Sequence, residues 1–267
     1  MLSKAPRGTK DITPKDVYKW HYVEKKFREI CALYGYEEIR TPIFEHTEVF
    51  ARSVGDTTDV VQKEMYSFTD RGDRQLSLKP EGTAGVIRSF IENKMYADTQ
   101  PTKLYYITPC FRYERPQAGR QRQFHQFGIE VLGSDGPSVD AEVISLAVQF
   151  FNEMGLKNLS VNINSVGCPT CREEYNRKLK EYLDKKVDVL CETCLERKDK
   201  NPMRVIDCKN PHCKENLQDI PFMIDHLCEG CKDHFDKLQT YLKEMDINFD
   251  VRVTYTFGGV YVTGFDS

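Results

Sequence analysis

The sequence predicts an α+β fold: an antiparallel β-sheet flanked by helices and interrupted by a small helical insertion domain. Three observations carry this expectation. Strand-like runs come in hairpin-joined pairs, around 66–78 and again around 104–132. Amphipathic helical stretches stand between and around those pairs. From Gly167 onward the pattern changes to helical segments separated by cysteine pairs. Hairpin pairing favours a mixed, mostly antiparallel sheet over a parallel one.

The elements follow in chain order. Thr13-Pro14 suits a helix start, with Asp16 near the positive dipole end. Val17, Trp20, Val23, Phe27, Ile30 and Tyr34 recur every three or four residues, so they form one buried face, and Gly35 ends the helix. A strand over Tyr36–Arg40 and a short helix over Glu45–Arg52 come next. Tyr66-Ser67-Phe68, a turn at Asp70–Asp73 and Leu76-Ser77-Leu78 read as a hairpin. Pro80-Glu81-Gly82-Thr83 leads into a helix through Ile87, Phe90 and Ile91. Leu104–Glu114 and Gln123–Leu132 read as two strands joined by a polar, basic loop. A helix after Ser138 presents Val143, Ile144, Ala147, Val148, Phe151 and Met154, and a strand over Leu159–Ile163 follows. Beyond Gly167, helices are expected at Arg172–Leu190, Leu217–Leu227 and Cys231–Met245.

Composition excludes several classes. With 267 residues, about 40% hydrophobic and 30% charged, the chain suits a soluble globular protein. A net charge of -3 gives no global pull on a polyanion, so a nucleic-acid partner needs a local basic patch. Met1–Thr13 lacks the apolar core of a secretory signal, and no apolar run is long enough to cross a bilayer. The expected compartment is the cytosol, where thiols stay reduced and cysteine pairs point to metal more often than to disulfide.

The alternation of side chains across a strand places Phe124, Gln126, Gly128 and Glu130 on one face of the second long strand. His125, Phe127, Ile129 and Val131 take the other, apolar face. Arg112 and Glu114 share a face of the preceding strand. If the polar faces coincide, they build a floor of one cation, two carboxylates, an amide and a ring, with Gly128 leaving room for a ligand. Arg115, Arg120 and Arg122 converge with Gly119 in the connecting loop, a phosphate-seeking arrangement that a merely solvated face would not need.

Four stretches resemble class II histidyl-tRNA synthetases. Phe111–Gln126, continuing as Phe-Gly-Ile-Glu-Val-Leu-Gly, resembles their motif 2. Arg7-Gly8-Thr9-Lys10-Asp11 resembles the family's N-terminal segment, and Gly35–Pro42 the motif 1 region with its dimer-forming proline. Leu78-Lys79-Pro80-Glu81-Gly82-Thr83 resembles the amino-acid-binding turn. The resemblance covers roughly Lys4–Val251, and four matches in the correct order are specific where each alone is weak.

The resemblance implies a class II catalytic sheet, a homodimer, and ATP-dependent activation of L-histidine followed by transfer to tRNA(His), with Mg²⁺ accompanying ATP. It implies that Glu81, Gly82, Thr83 and Gln126 hold the substrate's α-ammonium end and that Glu130 accepts from the imidazole. Arg112 bridges the substrate carboxylate and the α-phosphate, a task for a planar fork. Phe124 stacks on adenine, while Glu114 and Arg120 lie at the nucleotide end. Singly, Glu81 also reads as an ordinary helix-entry acid and Glu130 as the partner of a nearby base.

Eight of the ten cysteines form four pairs: Cys168/Cys171, Cys191/Cys194, Cys208/Cys213 and Cys228/Cys231. Such pairs suit tetrahedral Zn²⁺, and four pairs can build two closed sites in any of three combinations. A structural zinc contributes on the order of 10 kcal/mol to a module with little core of its own. Reduced core thiols or disulfides are the competing readings, and the wider Cys208/Cys213 spacing weakens a two-site model. Lysines and arginines of the same stretch, Lys178, Lys198, Arg204 and Lys209 among them, are candidate phosphate contacts.

The expected domains are a catalytic core over 1–166, the cysteine-rich insertion over 167–245 and a return to the core over 246–267. After Val251 the family pattern would continue with a catalytic arginine and a glycine-rich motif 3, and Arg252–Ser267 offers no counterpart to either arginine. This implies a C-terminally truncated form with weak activity on its own. Two further readings are a regulatory subunit of ATP phosphoribosyltransferase, which binds histidine on the same fold, and a zinc-stapled RNA-binding module.

Overall fold

The computed structural model describes residues 4–54, 60–206, 208, 210–251 and 261–263. Readings placed on Lys209 and on the tail at 252–260 and 264–267 lie outside the described residues. The chain divides into two compact units, Met1–Asp135 and Gly136–Ser267.

In the first unit, α1 (Val17–Leu33) buries Phe27 and Ile30, the inner part of the expected stripe, together with Cys31. It begins later than Thr13-Pro14 suggests. Residues 14–16 form a turn instead, with the Thr13 carbonyl accepting from the N–H groups of Asp16 and Val17. Two three-stranded sheets follow rather than one continuous sheet. The first orders β1 (Glu37–Glu38), β5 (Thr102–Phe111) and β6 (Gln123–Leu132), with β1 parallel and β6 antiparallel to β5. The second orders β2 (Phe44–His46), β4 (Gln75–Leu78) and β3 (Ser67–Thr69), all antiparallel neighbours. The β3–β4 hairpin closes as expected: the Asp70 carboxylate accepts from the N–H groups of Gly72 and Arg74. Helices α2 (Thr47–Val54) and α3 (Thr83–Glu92) complete the unit.

The β5–β6 register explains the faces. Leu104, Tyr106, Thr108 and Cys110 lie opposite Glu130, Gly128, Gln126 and Phe124 and therefore share their side. The opposite side carries Tyr105, Phe127 and His125. There Phe27 of α1 meets the rings of Tyr105 and Phe127 edge-on, and Trp20 meets His125 at 4.5 Å between centroids.

The second unit holds α4 (Pro137–Glu153), β7 (Ser160–Ile163) and α9 (Glu229–Glu244) around a core of Ala141, Ile144, Val161, Ile163, Phe235, Leu238 and Leu242. Strand β8 (Phe249–Val251) pairs parallel to β7, and β9 (Tyr261–Thr263) pairs antiparallel to it. A second core gathers Tyr175, Leu179, Leu183, Val205 and Met223 with four of the cysteines.

That core is made differently from the sequence expectation. Helix α5 (Pro169–Asp184) stops short of Leu190. The expected helix at Leu217–Leu227 is only a 3₁₀ turn at Met223–His226, because Pro221 disfavours a helical residue before it. Short helices occupy the cysteine turns instead: α6 (Glu192–Lys200), α7 (Met203–Ile206) and α8 (Pro211–Asn216). No helix among the described residues is long and apolar enough to cross a membrane.

Candidate active site and cysteine centres

The site is built where the N-terminus of α3 meets the polar face of β5–β6. Glu81 turns its carboxylate onto that terminus, accepting from Thr83 N–H at 2.6 Å and Ala84 N–H at 2.9 Å. The helix-entry role is therefore real, and it fixes the carboxylate's position. From β6, the Gln126 Oε1 accepts from Gly82 N–H at 2.9 Å and from the Cys110 thiol at 3.3 Å. Gln126 thus holds the Glu81–Thr83 turn against the sheet. Thr83 Oγ1 donates to Glu130 Oε1 at 2.7 Å, and the Tyr106 hydroxyl donates to the same oxygen at 3.3 Å.

Tyr106 is the residue that sequence reasoning missed, and it corrects one expectation. The room at Gly128 is filled by the protein itself. A Cβ on Gly128 would lie 2.1 Å from Tyr106 Cζ, and one on Gly82 would lie 2.2 Å from Cε2 of the same ring. The two glycines form a slot for the ring, which carries its hydroxyl to Glu130. The available signal was Tyr106 opposite Gly128 in the register, which needs strand pairing to be read.

Burial raises the Glu130 carboxyl above the usual carboxylate range, while the bonds from Thr83 and Tyr106 pull the other way. Burial also raises the Tyr106 hydroxyl, so it remains a donor at neutral pH. The Cys110 thiol is pushed up to about 12 by burial, which keeps it a neutral donor to Gln126. Lys79, 2% exposed, reaches the Thr41 carbonyl at 3.3 Å, and burial lowers its affinity for a proton.

Arg112 and Glu114 share a side, although β5 ends at Phe111 and both lie beyond it. Arg112 Nε donates to the Pro80 carbonyl at 2.9 Å, and its Nη1 lies 4.0 Å from Glu114 Oε1. The guanidinium sits over the Phe124 ring, 5.3 Å from its centroid. One edge of the fork is thus anchored to the Glu81 turn while the cation sits over an aromatic face. The loop arginines divide their work. Arg120 pairs with Glu114 at 3.1 Å on an exposed turn. Arg122 packs its guanidinium 3.9 Å from the Tyr113 ring and donates to the Glu114 carbonyl. Arg115 is exposed. The structure therefore brings Glu81, Gly82, Thr83, Gln126 and Glu130 into one network, with Arg112, Glu114, Arg120 and Phe124 joined at its motif 2 edge.

The eight cysteines gather into two groups of four: Cys168, Cys171, Cys228 and Cys231, and Cys191, Cys194, Cys208 and Cys213. Within each group the sulfurs all lie within 4.8 Å of one another. All eight are free thiols. The donor set fits zinc: a tetrahedral ion with Zn–S bonds of about 2.3 Å places its sulfurs about 3.8 Å apart. The Cys168–Cys171 and Cys191–Cys208 sulfurs stand at 3.5 and 3.9 Å. These separations far exceed a disulfide bond, and an iron–sulfur cluster would hold its thiolates farther apart.

Local structure explains the spacing. Cys168, Cys191 and Cys228 each stand at a helix N-cap, with Cys171, Cys194 and Cys231 in the first turn that follows. In α8 the cap is Asn210, whose side chain accepts from His212 N–H, and Cys213 occupies the first turn. Cys208 therefore sits two residues before the cap, and the wider spacing still closes a four-sulfur group. Backbone N–H groups point at sulfur: Cys228 N–H to Cys171 at 3.1 Å, Cys191 N–H to Cys213 at 3.2 Å and Asn210 N–H to Cys208 at 3.4 Å. The N–H of Cys171 brings Cys168 down to about 6, and that of Cys194 brings Cys191 down to about 7. Of the basic residues nearby, Lys180 pairs with Asp199 at 3.1 Å and Lys186 with Asp219 at 3.4 Å, while Lys198 pairs with Asp184. Those three cations are partly balanced within the module.

A family model described as histidyl-tRNA synthetase matches residues 8–209. A histidine–tRNA ligase of Clostridioides difficile (strain 630) is 78% identical over 258 residues, covering 97% of this chain and 61% of that protein. One from Clostridium perfringens (strain SM101 / Type A) is 58% identical over 252 residues, again covering 61% of its length. Among solved structures, the apo histidyl-tRNA synthetase of S. aureus superposes with a TM-score of 0.76 at 40% identity, over 96% of this chain and 58% of that one. A Bacillus halodurans protein described as an ATP phosphoribosyltransferase regulatory subunit/histidyl-tRNA synthetase shares the fold, with a TM-score of 0.61 at 21% identity. The chain spans about three-fifths of the length of the curated relatives it matches.

Proposed function

The chain belongs to the histidyl-tRNA synthetase family, and from that premise we propose that its first unit carries the histidine-activating site of a histidine–tRNA ligase. The substrates are L-histidine, ATP with Mg²⁺, and tRNA(His). The observation that carries this reading is the shared network in which Glu130, Thr83 and Tyr106 close one end while Glu81 and Arg112 flank the other.

Each group has a task. Glu130 accepts from the imidazole N–H, and a partly buried carboxylate left unpaired by a hydrocarbon side chain gives discrimination. Glu81 attracts the α-ammonium from a position fixed by its two backbone bonds, with Gly82, Thr83 and Gln126 shaping that end. The histidine carboxylate then attacks the α-phosphorus, a new P–O bond forms and pyrophosphate leaves. Arg112 draws the two anions together with the part of its fork not bound to Pro80. Phe124, with the Arg112 guanidinium 5.3 Å from its ring centroid, offers its ring to adenine. Glu114 and Arg120 stand at the nucleotide end, where Mg²⁺ would accompany ATP and offset its phosphate charge. No side chain acts as a covalent nucleophile; positioning and charge do the work.

The proposal extends to organisation. Residues 1–166 and 246–267 form parts of the catalytic core, and 167–245 is an insertion stapled by structural Zn²⁺. The separate core around Tyr175 and Leu179 supports this, and α9 ties the insertion's end to α4. A cytoplasmic homodimer is the proposed working form. The test is ATP–pyrophosphate exchange with and without histidine, paired with calorimetric titration of histidine. Weak histidine-dependent exchange is expected from this chain. Histidine binding without exchange would fit either a weakly active synthetase site or the regulatory-subunit reading, which tRNA binding by the same sample separates, and no histidine binding at all would overturn the assignment.

A further inference from the structure

The two four-cysteine groups are nested in sequence. Cys168/Cys171 and Cys228/Cys231 enclose Cys191/Cys194 and Cys208/Cys213. The outer group joins the N-terminal turns of α5 and α9, so it closes the whole module at its neck. The inner group ties α6 to α8 and to the segment leading into it, within the module.

Their surroundings differ. In the inner group Cys194, Cys208 and Cys213 are buried, and Cys191 is only partly exposed. Three of those sulfurs belong to residues of the Tyr175–Met223 core, which takes only Cys171 from the outer group, with Cys168 and Cys231 packed against its edge. In the outer group only Cys171 is buried, Cys168 and Cys231 are partly exposed and Cys228 is exposed. Metal leaves a thiolate site when a competing ligand reaches it, so access sets the rate of exchange at otherwise matched tetrathiolate sites.

Resting on the zinc reading above, we propose that the chain holds two zinc ions in these nested groups and that they differ in permanence. The inner ion is a fixed part of the module core. The outer ion is exchangeable, and its loss releases the α9 turn from the α5 turn while the inner group stays closed. The module therefore has a detachable clasp whose occupancy follows available zinc.

The experiment measures zinc content by elemental analysis, then follows release into the chromogenic chelator 4-(2-pyridylazo)resorcinol on the intact protein. Two zinc ions per chain are expected, released in two phases of equal amplitude separated by at least about tenfold in rate. Cys228→Ser and Cys168→Ser should both remove the fast phase, and Cys213→Ser the slow one. That pattern tests the pairing, since any other combination would put Cys168 and Cys228 on different ions. Should Cys213→Ser fail to fold, the two outer variants and the wild-type amplitudes still decide the matter. Two ions released in a single phase would overturn the difference in permanence while leaving the zinc reading intact. No zinc, together with no thiolate-to-metal absorption after Co²⁺ addition to reduced protein, would overturn both.

Discussion

Thr83 Oγ1 stands 2.7 Å from Glu130 Oε1, joining the first turn of α3 to the polar face of β6 across 47 residues of sequence. The bond spends the Thr83 hydroxyl hydrogen on Glu130. It leaves the carboxylate's remaining acceptor capacity for a ring N–H. The same carboxylate is partly stripped of water, so it is held ready for a partner at some cost to the unliganded fold.

Glu130→Gln separates those two consequences. Gln keeps an oxygen for Thr83 and Tyr106 but removes the charge. Histidine affinity should fall roughly ten- to a hundredfold, the usual worth of a hydrogen bond to a charged group. Stability should move in the other direction. Because the folded-state value lies above the unfolded one near 4.5, wild type loses stability as pH rises from there through the raised folded value. The variant should gain on wild type in urea midpoints as pH rises from about 4.5 through the raised folded value. Equal pH dependence for the two proteins would show that the charge carries no folding penalty.

Gly128→Ala tests the slot. Its Cβ would fall 2.1 Å from Tyr106 Cζ, and the ring is pinned on its other side at Gly82. A destabilisation of about 1–3 kcal/mol is expected from overpacking, with histidine binding reduced as the hydroxyl is displaced. Gly230→Ala, on α9 with nothing within 4 Å of its Cβ, is the control and should be neutral or stabilising. Adding Tyr106→Ala should recover part of the Gly128→Ala loss, a coupling that a double-mutant cycle reads directly. Strict additivity would mean the ring is free to move away.

How much of this was legible in the sequence depends on the range of the interactions involved. The faces of β6 followed from alternation alone, since a period of two needs only local sequence: His125 and Phe127 point to α1, while Gln126 and Glu130 reach α3. The α1 stripe and the Asp70 hairpin turn were legible for the same reason. Tyr106 was not, because its partners Gly82 and Gly128 come from different elements and meet only through register. The cysteine spacing indicated metal chemistry but left the pairing open; four thiol pairs carry no local signal for which pair meets which. The short helices α6 to α8 were hidden because segments of four to nine residues have little helical tendency of their own.

Arg112→Lys addresses the reaction centre. The arginine Nε is committed to Pro80 and its guanidinium sits over Phe124, so the remaining fork is aimed before any substrate arrives. Lysine offers one point charge and cannot keep both the anchor and two anions in line. Histidine-dependent pyrophosphate exchange should fall by about 10²–10³, with histidine binding in calorimetry changed far less. An equal loss in both would place Arg112 in ground-state binding of the carboxylate instead.

Arg120 and Arg122 are two residues apart in one basic loop, yet the structure gives them different work. Arg120 lies on an exposed turn, and its side chain pairs with the Glu114 carboxylate. Arg122 is held by the Tyr113 ring and the Glu114 carbonyl, and its backbone N–H donates to the Gly8 carbonyl at 2.7 Å. Its stem also runs so close to Gly8 that a Cβ there would meet Arg122 Cγ at 2.7 Å. Arg120→Ala should therefore leave the denaturation midpoint unchanged, because an exposed ion pair contributes little, and should raise the KM for ATP. Arg122→Ala should lower stability by about 1–2 kcal/mol through lost packing and a lost cation–π contact. Its effect on ATP would then be indirect, through a loosened loop, and should shrink when exchange is measured at saturating ATP. If the two variants instead showed the same stability and the same rise in KM, both arginines would be phosphate ligands, and the contact with Tyr113 would be incidental.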